Sequence, residues 1–238
     1  MTDALKVEIW SDVVCPWCYI GKRRLEAAVA SSGVPVEVTW RSFQLDPTAP
    51  RESTEDVATY LGRKYGGGRE AGLAMNERVS QIAAQDGLEY RLDQAQRANT
   101  VDAHRLLHLA AEHGLQDALK ERLLRAYFTE GRAVGDADVL AALADEVGLP
   151  PDRVRAVLAS DEYADDVAAD QAEAQALGAN GVPFFVIDRR YGVSGAQPVE
   201  LFEQALRQAW SEKRPTLLSV PGTDGADAEV CGPDGCAP

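Results

Sequence analysis

Ser11-Asp12-Val13-Val14-Cys15-Pro16-Trp17-Cys18 stands between two segments of different period, and its reading decides the fold. Upstream, Leu5, Val7 and Ile9 alternate with Lys6 and Glu8, the two-residue period of a strand with one face buried. Downstream, Ile20, Leu25, Ala28 and Val29 recur at helical spacing, which predicts a helix from about Pro16 to Val29, ended by Ser31-Ser32-Gly33. Val34, Val36, Val38 and Trp40 then alternate with Pro35, Glu37 and Thr39 as a second strand. Strand, helix and strand in so short a run make a βαβ unit with parallel strands, and the two cysteines fall at its first turn.

From about Ser53 to Leu177 the pattern is Ala, Leu, Glu, Arg and Gln at helical spacing, broken at Gly66-Gly67-Gly68, Gly87, Gly114, Gly131, Gly135 and Gly148-Leu149-Pro150-Pro151. This predicts a block of about five to seven helices. Strand signal returns at Phe184-Phe185-Val186-Ile187, turns at Asp188-Arg189-Arg190 and resumes at Tyr191-Gly192-Val193. Pro198 opens a last helix whose apolar face is Leu201, Phe202, Ala205, Leu206 and Ala209. The expected fold is α/β, a thioredoxin fold with an inserted all-helical domain. Residues 1–45 with 179–215 would form the thioredoxin domain, 46–178 the helical insert, and 216–238 a flexible tail rich in Gly, Asp, Ala and Pro.

At 238 residues, 45% hydrophobic and 26% charged, the composition is that of a soluble globular protein and excludes collagenous or wholly disordered chains. The net charge of −14 repels phosphate backbones and anionic lipid, so nucleic acid and membrane are not expected partners. The start, Met1-Thr2-Asp3-Ala4-Leu5-Lys6, lacks the order of a signal peptide and no apolar run has transmembrane length; the expected address is the cytoplasm. In a reducing compartment a close cysteine pair is catalytic or metal-binding more often than structural.

Pro16 suits the first helical turn, where its missing N–H would be an orphan, so Cys15 belongs at the helix start. Unpaired N–H groups and the positive dipole end favour a thiolate there, the form that attacks disulfides. Cys18, one turn on, is spaced to close a disulfide with Cys15 and so to resolve a mixed disulfide. The alternatives are half of a zinc site completed by Cys231 and Cys236, and a structural pair of buried thiols, against which Pro16-Trp17 at a helix start argues for exposure.

Gly181-Val182-Pro183-Phe184 leads into the third strand, the position that abuts the dithiol in a thioredoxin-type sheet. A cis Pro183 there would turn the Val182 backbone outward for β-like pairing with a substrate chain. Ser11-Asp12-x-x-Cys15-Pro16-Trp17-Cys18-Tyr19-x-Gly21, with Gly181-Val182-Pro183-Phe184-Phe185 and Tyr191-Gly192-Val193-Ser194-Gly195-Ala196-Gln197-Pro198, resembles the DsbA-family thioredoxins of the FrnE type. The order of elements agrees from about residue 5 to 212. The resemblance implies a dithiol–disulfide oxidoreductase with Cys15 and Cys18 as the catalytic pair, a cis Pro183, and substrate contacts at Pro16, Trp17, Val182 and Pro183. It implies thiol- or disulfide-containing protein substrates, with glutathione as a small-thiol candidate, and no cofactor or metal. The sequence is also similar to 2-hydroxychromene-2-carboxylate isomerases and kappa-class glutathione transferases. Those usually carry a hydroxyl residue in place of the first cysteine, so the intact Cys15 favours disulfide chemistry over glutathione-dependent isomerisation. A zinc-holding or client-holding module is the alternative of the binding class.

His104 and His108 have the i, i+4 spacing of a metal pair, but no further ligand accompanies them at a motif spacing, and a surface or half-buried helix face is the default reading. Asn99-Thr100-x-x-Ala103-His104-Arg105 resembles a family segment that faces the groove, which makes Asn99 and His104 candidate substrate-binding residues. Gly66-Gly67-Gly68-Arg69-Glu70-Ala71 matches a dinucleotide fingerprint but follows a helix pattern, so it reads as a loop between helices. Cys231 and Cys236 flank Gly232-Pro233-Asp234-Gly235, a type I turn sequence that can bring the two sulfurs together as a second redox pair exchanging with Cys15 and Cys18; an idle tail with two exposed thiols and a metal scavenger are the alternatives.

Overall fold

The structure, a computed structural model, describes residues 4–51 and 55–213. The tail and its pair Cys231 and Cys236 lie outside the described residues. β1 (Leu5–Ser11), α1 (Pro16–Ser32) and β2 (Val36–Ser42) form the first unit, and β1 and β2 are parallel from Leu5↔Val36 to Ser11↔Ser42. Seven helices follow among the described residues: α2 (Val57–Tyr65), α3 (Gly68–Gln85), α4 (Val101–Glu112), α5 (Gln116–Phe128), α6 (Ala137–Glu146), α7 (Pro151–Leu158) and α8 (Ala164–Ala176). β3 (Phe184–Ile187), β4 (Tyr191–Ser194) and α9 (Val199–Lys213) complete the chain. The sheet order is β2-β1-β3-β4, with β3 antiparallel to β1 and β4 antiparallel to β3. This is the mixed α/β thioredoxin fold with a helical insertion. Among the described residues no helix is long and apolar enough to cross a membrane.

β1 is central and its alternation sorts the layers. Leu5, Val7 and Ile9 join Leu25, Ala28, Phe202 and Leu206 in the core beneath α1 and α9. Trp10 points to the other face, where it packs with Phe184, Val186 and Ala174 and donates from Nε1 to the Asp170 carbonyl at 2.7 Å. Glu8, on that same face, is held by Arg41 (2.6 Å) and Arg189. β2 starts two residues later than its alternation suggested: the Leu5 N–H uses the Pro35 carbonyl, and ladder pairing begins at Val36. α1 runs to Ser32 and ends on Gly33, whose φ of 66° lets its N–H return to the Val29 carbonyl at 3.2 Å. On α9, Phe202, Leu206 and Ala209 are buried, whereas Leu201, read as part of that face, is 40% exposed.

The inserted helices pack around a cluster centred on Leu106, Leu109, Leu123, Phe128 and Leu143, which also takes in Val13, Tyr19 and Ile20 from the β1–α1 turn and α1. α2 and α3 meet backbone to backbone. A Cβ at Gly72 would lie 2.0 Å from the Ala58 carbonyl oxygen, and one at Gly62 1.9 Å from that of Gly68. Gly72→Ala should therefore force the two helices apart and lower stability by about 1–3 kcal/mol, read as a drop in the urea midpoint. A midpoint equal to wild type would contradict the close packing.

Candidate active site

Cys15 is the N-cap residue of α1, with extended backbone (φ −90°, ψ 115°), and Pro16 occupies the first turn. The geometry follows from the local sequence: proline fixes the helix start without spending a donor, and the residue before it is held extended. The Cys18 N–H bonds to the Cys15 carbonyl at 3.0 Å, so the two thiols sit on one turn, both free. The Val182–Pro183 peptide is cis, and the Cys15 thiol donates to the Val182 carbonyl at 3.5 Å. Gly21 allows this closeness. A Cβ there would meet Phe185 at 3.0 Å and Pro183 at 3.1 Å, so a larger residue would require those side chains to give way where α1 seats on the β3 end. Tyr90 OH donates to the Pro16 carbonyl at 2.7 Å and pins the first turn from the helical side.

The thiols are less open than Pro16-Trp17 suggested. Cys15 is 3% exposed and Cys18 1%, while Trp17 between them is 41% exposed. A cavity of about 630 Å³ reaches Cys15. Its walls include Pro16, Trp17, Val182, Tyr60, Tyr65 and Phe128, with Lys64, Arg78 and Arg97 also at its surface. The cavity is thus largely apolar and aromatic, suited to an uncharged segment next to a disulfide.

Asn99 and His104 do not line it. Asn99 instead ties loops together, donating to the Ala49 carbonyl at 2.8 Å and accepting from the Val101 N–H at 3.0 Å. His104 is 0% exposed, against the expected surface or half-buried setting, because α4 is enclosed by α5, α6, α7 and α8. Its Nε2 lies 3.2 Å from Asp12 Oδ1, and its Nδ1 makes no hydrogen bond. His108 turns to Ser42 Oγ at 3.0 Å and Asp170 at 3.3 Å, so the two histidines serve different carboxylates. Among the described residues no three His, Cys, Asp or Glu side chains converge as a metal site.

Behind the thiols lies a buried polar group that the motif reading missed. Asp12 is 1% exposed and accepts from the Val13 and Leu45 N–H groups, both at 2.8 Å, as well as facing His104. Lys120, on α5, is 0% exposed; its Nζ reaches the Ser11 carbonyl at 3.5 Å and lies 5.4 Å from the Trp40 ring. Burial draws the Lys120 ammonium down to about 8, opposed by the charges of Cys18, Asp12 and Cys15, in that order. Burial likewise pushes the Cys18 thiol well above its ordinary value, and Cys15 adds to this. No spacing in the sequence marks Lys120; only its total burial next to a dithiol does.

Residues 6–207 match the DSBA-like thioredoxin domain family. The chain is 49% identical to the probable DsbA oxidoreductase of Streptomyces coelicolor, with a TM-score of 0.83 and 98% of each chain covered. The YwbO protein of Bacillus subtilis strain 168 is 28% identical over 215 residues, 87% of this chain and 98% of that one. The fold is shared by the cytosolic disulfide reductase DsbM of Pseudomonas aeruginosa, solved with GSH, at 21% identity and a TM-score of 0.61, covering 85% of this chain and 98% of that one. A dithiol at the start of α1, a proline-led β3 beside it and a match across nearly the whole chain agree, and the chain belongs to the DSBA-like thioredoxin domain family.

Proposed function

We propose that this protein is a thiol–disulfide oxidoreductase in which Cys15 attacks and Cys18 resolves. The observation that supports this most is the Cys15 thiol at the N-cap of α1, on the wall of an apolar cavity and against the Val182 carbonyl. The thiol stands at the helix N-terminus, where backbone N–H groups lack helical partners. Its attack on a substrate disulfide makes a Cys15 mixed disulfide and releases one substrate thiolate. Attack by Cys18 on Cys15 then forms the Cys15–Cys18 disulfide and releases the second thiolate; run backward, the same steps oxidise a substrate dithiol. Pro16, Trp17, Val182 and Pro183 hold the substrate segment, the Val182 backbone by strand-like pairing. The substrates are disulfide- or thiol-bearing proteins in the cytoplasm, and glutathione is the small thiol that recycles the pair. Cys231 and Cys236 serve as a second pair exchanging with the first.

Cys18→Ser tests the order of steps. Incubated with a disulfide-bonded model protein or with glutathione disulfide, it should accumulate one adduct on Cys15, seen by mass spectrometry and removed by dithiothreitol. A Cys15 that stays free under both conditions would overturn the assignment. Which adduct builds up faster decides between protein and small-molecule substrates.

A further inference from the structure

The cavity beside Cys15 carries charges that its apolar walls do not account for. Lys64 on α2, Arg78 on α3 and Arg97 stand on its lining against a single carboxylate, Asp46. Asp46 is fully engaged: it accepts from Arg97 at 2.6 Å, from the Tyr60 hydroxyl at 3.0 Å and from the Thr48 hydroxyl at 2.7 Å. The neighbouring arginines are matched as well, Arg63 by Glu55 at 2.8 Å and Arg69 by Asp56 at 3.5 Å. Lys64 and Arg78 are exposed and make no ion pair among the described residues. Lys64 uses one of its three N–H donors on the Tyr60 hydroxyl at 3.1 Å and lies 5.4 and 5.6 Å from the Tyr60 and Tyr65 rings, so the cation is held over the aromatic wall. In a chain with 38 acidic and 24 basic residues, two unmatched cations on one apolar cavity call for an anion from outside.

We propose that the cavity binds a low-molecular-weight disulfide that joins an aromatic or other apolar body to a carboxylate, and that Lys64 and Arg78 determine this specificity. This rests on the thiol–disulfide exchange proposed above. The volume of about 630 Å³ suits a small molecule taken up whole, and Cys15 forms part of the lining, so a disulfide lodged there can reach its sulfur. A symmetrical disulfide of this kind has two carboxylates, one for each cation: Lys64 in the last turn of α2 and Arg78 in the second half of α3. Tyr60, Tyr65 and Phe128 cover the uncharged part, and their low dielectric strengthens an ion pair formed beside them. Cys15 attacks one sulfur, and a carboxylate-bearing thiolate leaves; Cys18 then attacks Cys15, and the other half leaves as a thiolate. The Cys15–Cys18 disulfide forms, the substrate is reduced to two thiols, and the two protons of the dithiol pass to them by way of water. A thiol reductant such as glutathione returns the pair to the dithiol. Glutathione disulfide has the carboxylates but a polar peptide body, so the cavity discriminates against it as a ligand.

Stopped-flow reaction of the reduced full-length protein with two aromatic disulfides tests the assignment: dithiobis(nitrobenzoate), with a carboxylate on each ring, and dithiodipyridine, with none. The first phase reports Cys15 attack and should saturate with dithiobis(nitrobenzoate). In the double variant Lys64→Gln with Arg78→Gln the half-saturating concentration should rise at least about tenfold with the limiting rate unchanged, while the rate with dithiodipyridine stays within about twofold of wild type. Both side chains are exposed, so neither substitution disturbs the core. Lys64→Arg with Arg78→Lys keeps the charges and should keep the wild-type values. Lys6→Gln removes an exposed cation at the far end of β1 and should leave both reactions unchanged. Phenylpropionate, an apolar carboxylate without sulfur, should compete with dithiodipyridine in the wild type and hardly at all in the double variant, and S-methylglutathione at the same concentration should compete less well. A double variant that handles dithiobis(nitrobenzoate) as the wild type does, an equal loss with dithiodipyridine, a loss of the same size in Lys6→Gln, or stronger competition by S-methylglutathione would overturn the assignment. A wild type that releases no thiol from either reagent would instead defeat the exchange reading; protection of Cys15 from iodoacetamide by phenylpropionate then decides whether the cavity binds the carboxylate.

Discussion

Cys15→Ser is expected to bring reduction or oxidation of a model disulfide protein down to the uncatalysed rate, while the protein keeps its fold. Serine matches the thiol in shape but cannot form the mixed disulfide, and its hydroxyl does not ionise near neutral pH. Structurally the change is small: the side chain keeps its place at the N-cap, where serine is itself a favoured residue, and the contact to the Val182 carbonyl at 3.5 Å is available to a hydroxyl donor. The measurement is turnover of insulin disulfides by glutathione, with a thermal melt alongside. Retained turnover in a folded Cys15→Ser protein would remove Cys15 from the chemistry.

The largest expected loss of stability is at Asp12. Asp12→Ala leaves the Val13 and Leu45 N–H groups and the His104 ring without their acceptor, all in a buried setting, and removes a negative charge that favours the Lys120 ammonium. Breaking such a buried group on one side costs about 3–5 kcal/mol, which a urea titration reads directly. Its pH dependence has a fixed sign. Burial raises the Asp12 carboxyl, but the His104 hydrogen bond and charge, the Leu45 N–H and Lys120 outweigh it and leave the group below its usual 3.8. The carboxylate therefore contributes stability above about pH 4, lost as the pH falls through the lower folded value. Asp12→Ala should lie below wild type at neutral pH and approach it in acid. Parallel stability curves from neutral to acid would show that Asp12 is not held ionised.

What the sequence revealed and what it hid follow from range. The turn at Cys15, the strand Phe184–Ile187 and the proline before it are marked by neighbours within a few residues, so alternation and helix-start chemistry locate them. The helical segments of the insert are legible in the same way, as are its glycine breaks. The set behind the thiols is not. Asp12 meets His104 across 92 positions, and Lys120 meets Ser11 across 109. Nothing local distinguishes Lys120 from a surface lysine in Gln116–Phe128, and its burial is decided by α5 packing against β2 and the β1–α1 turn. For His104 the default reading as a surface or half-buried helix face fails because tertiary packing has closed that face. Gly72 has the same character: its reason is the Ala58 backbone of the preceding helix, which no periodicity shows.

The place of β1 between β2 and β3 has a consequence for synthesis. β1 and β2 leave the ribosome close together and can pair at once, but the opposite edge of β1 waits for Phe184–Ile187, after the whole helical insert has been made. Until then the central strand has an open edge, and Cys15 has neither the Val182 carbonyl nor Pro183 beside it. A chain arrested within the insert therefore carries Cys15 and Cys18 without the wall that orders them, and the dithiol site is assembled only after Val182–Ile187 has emerged.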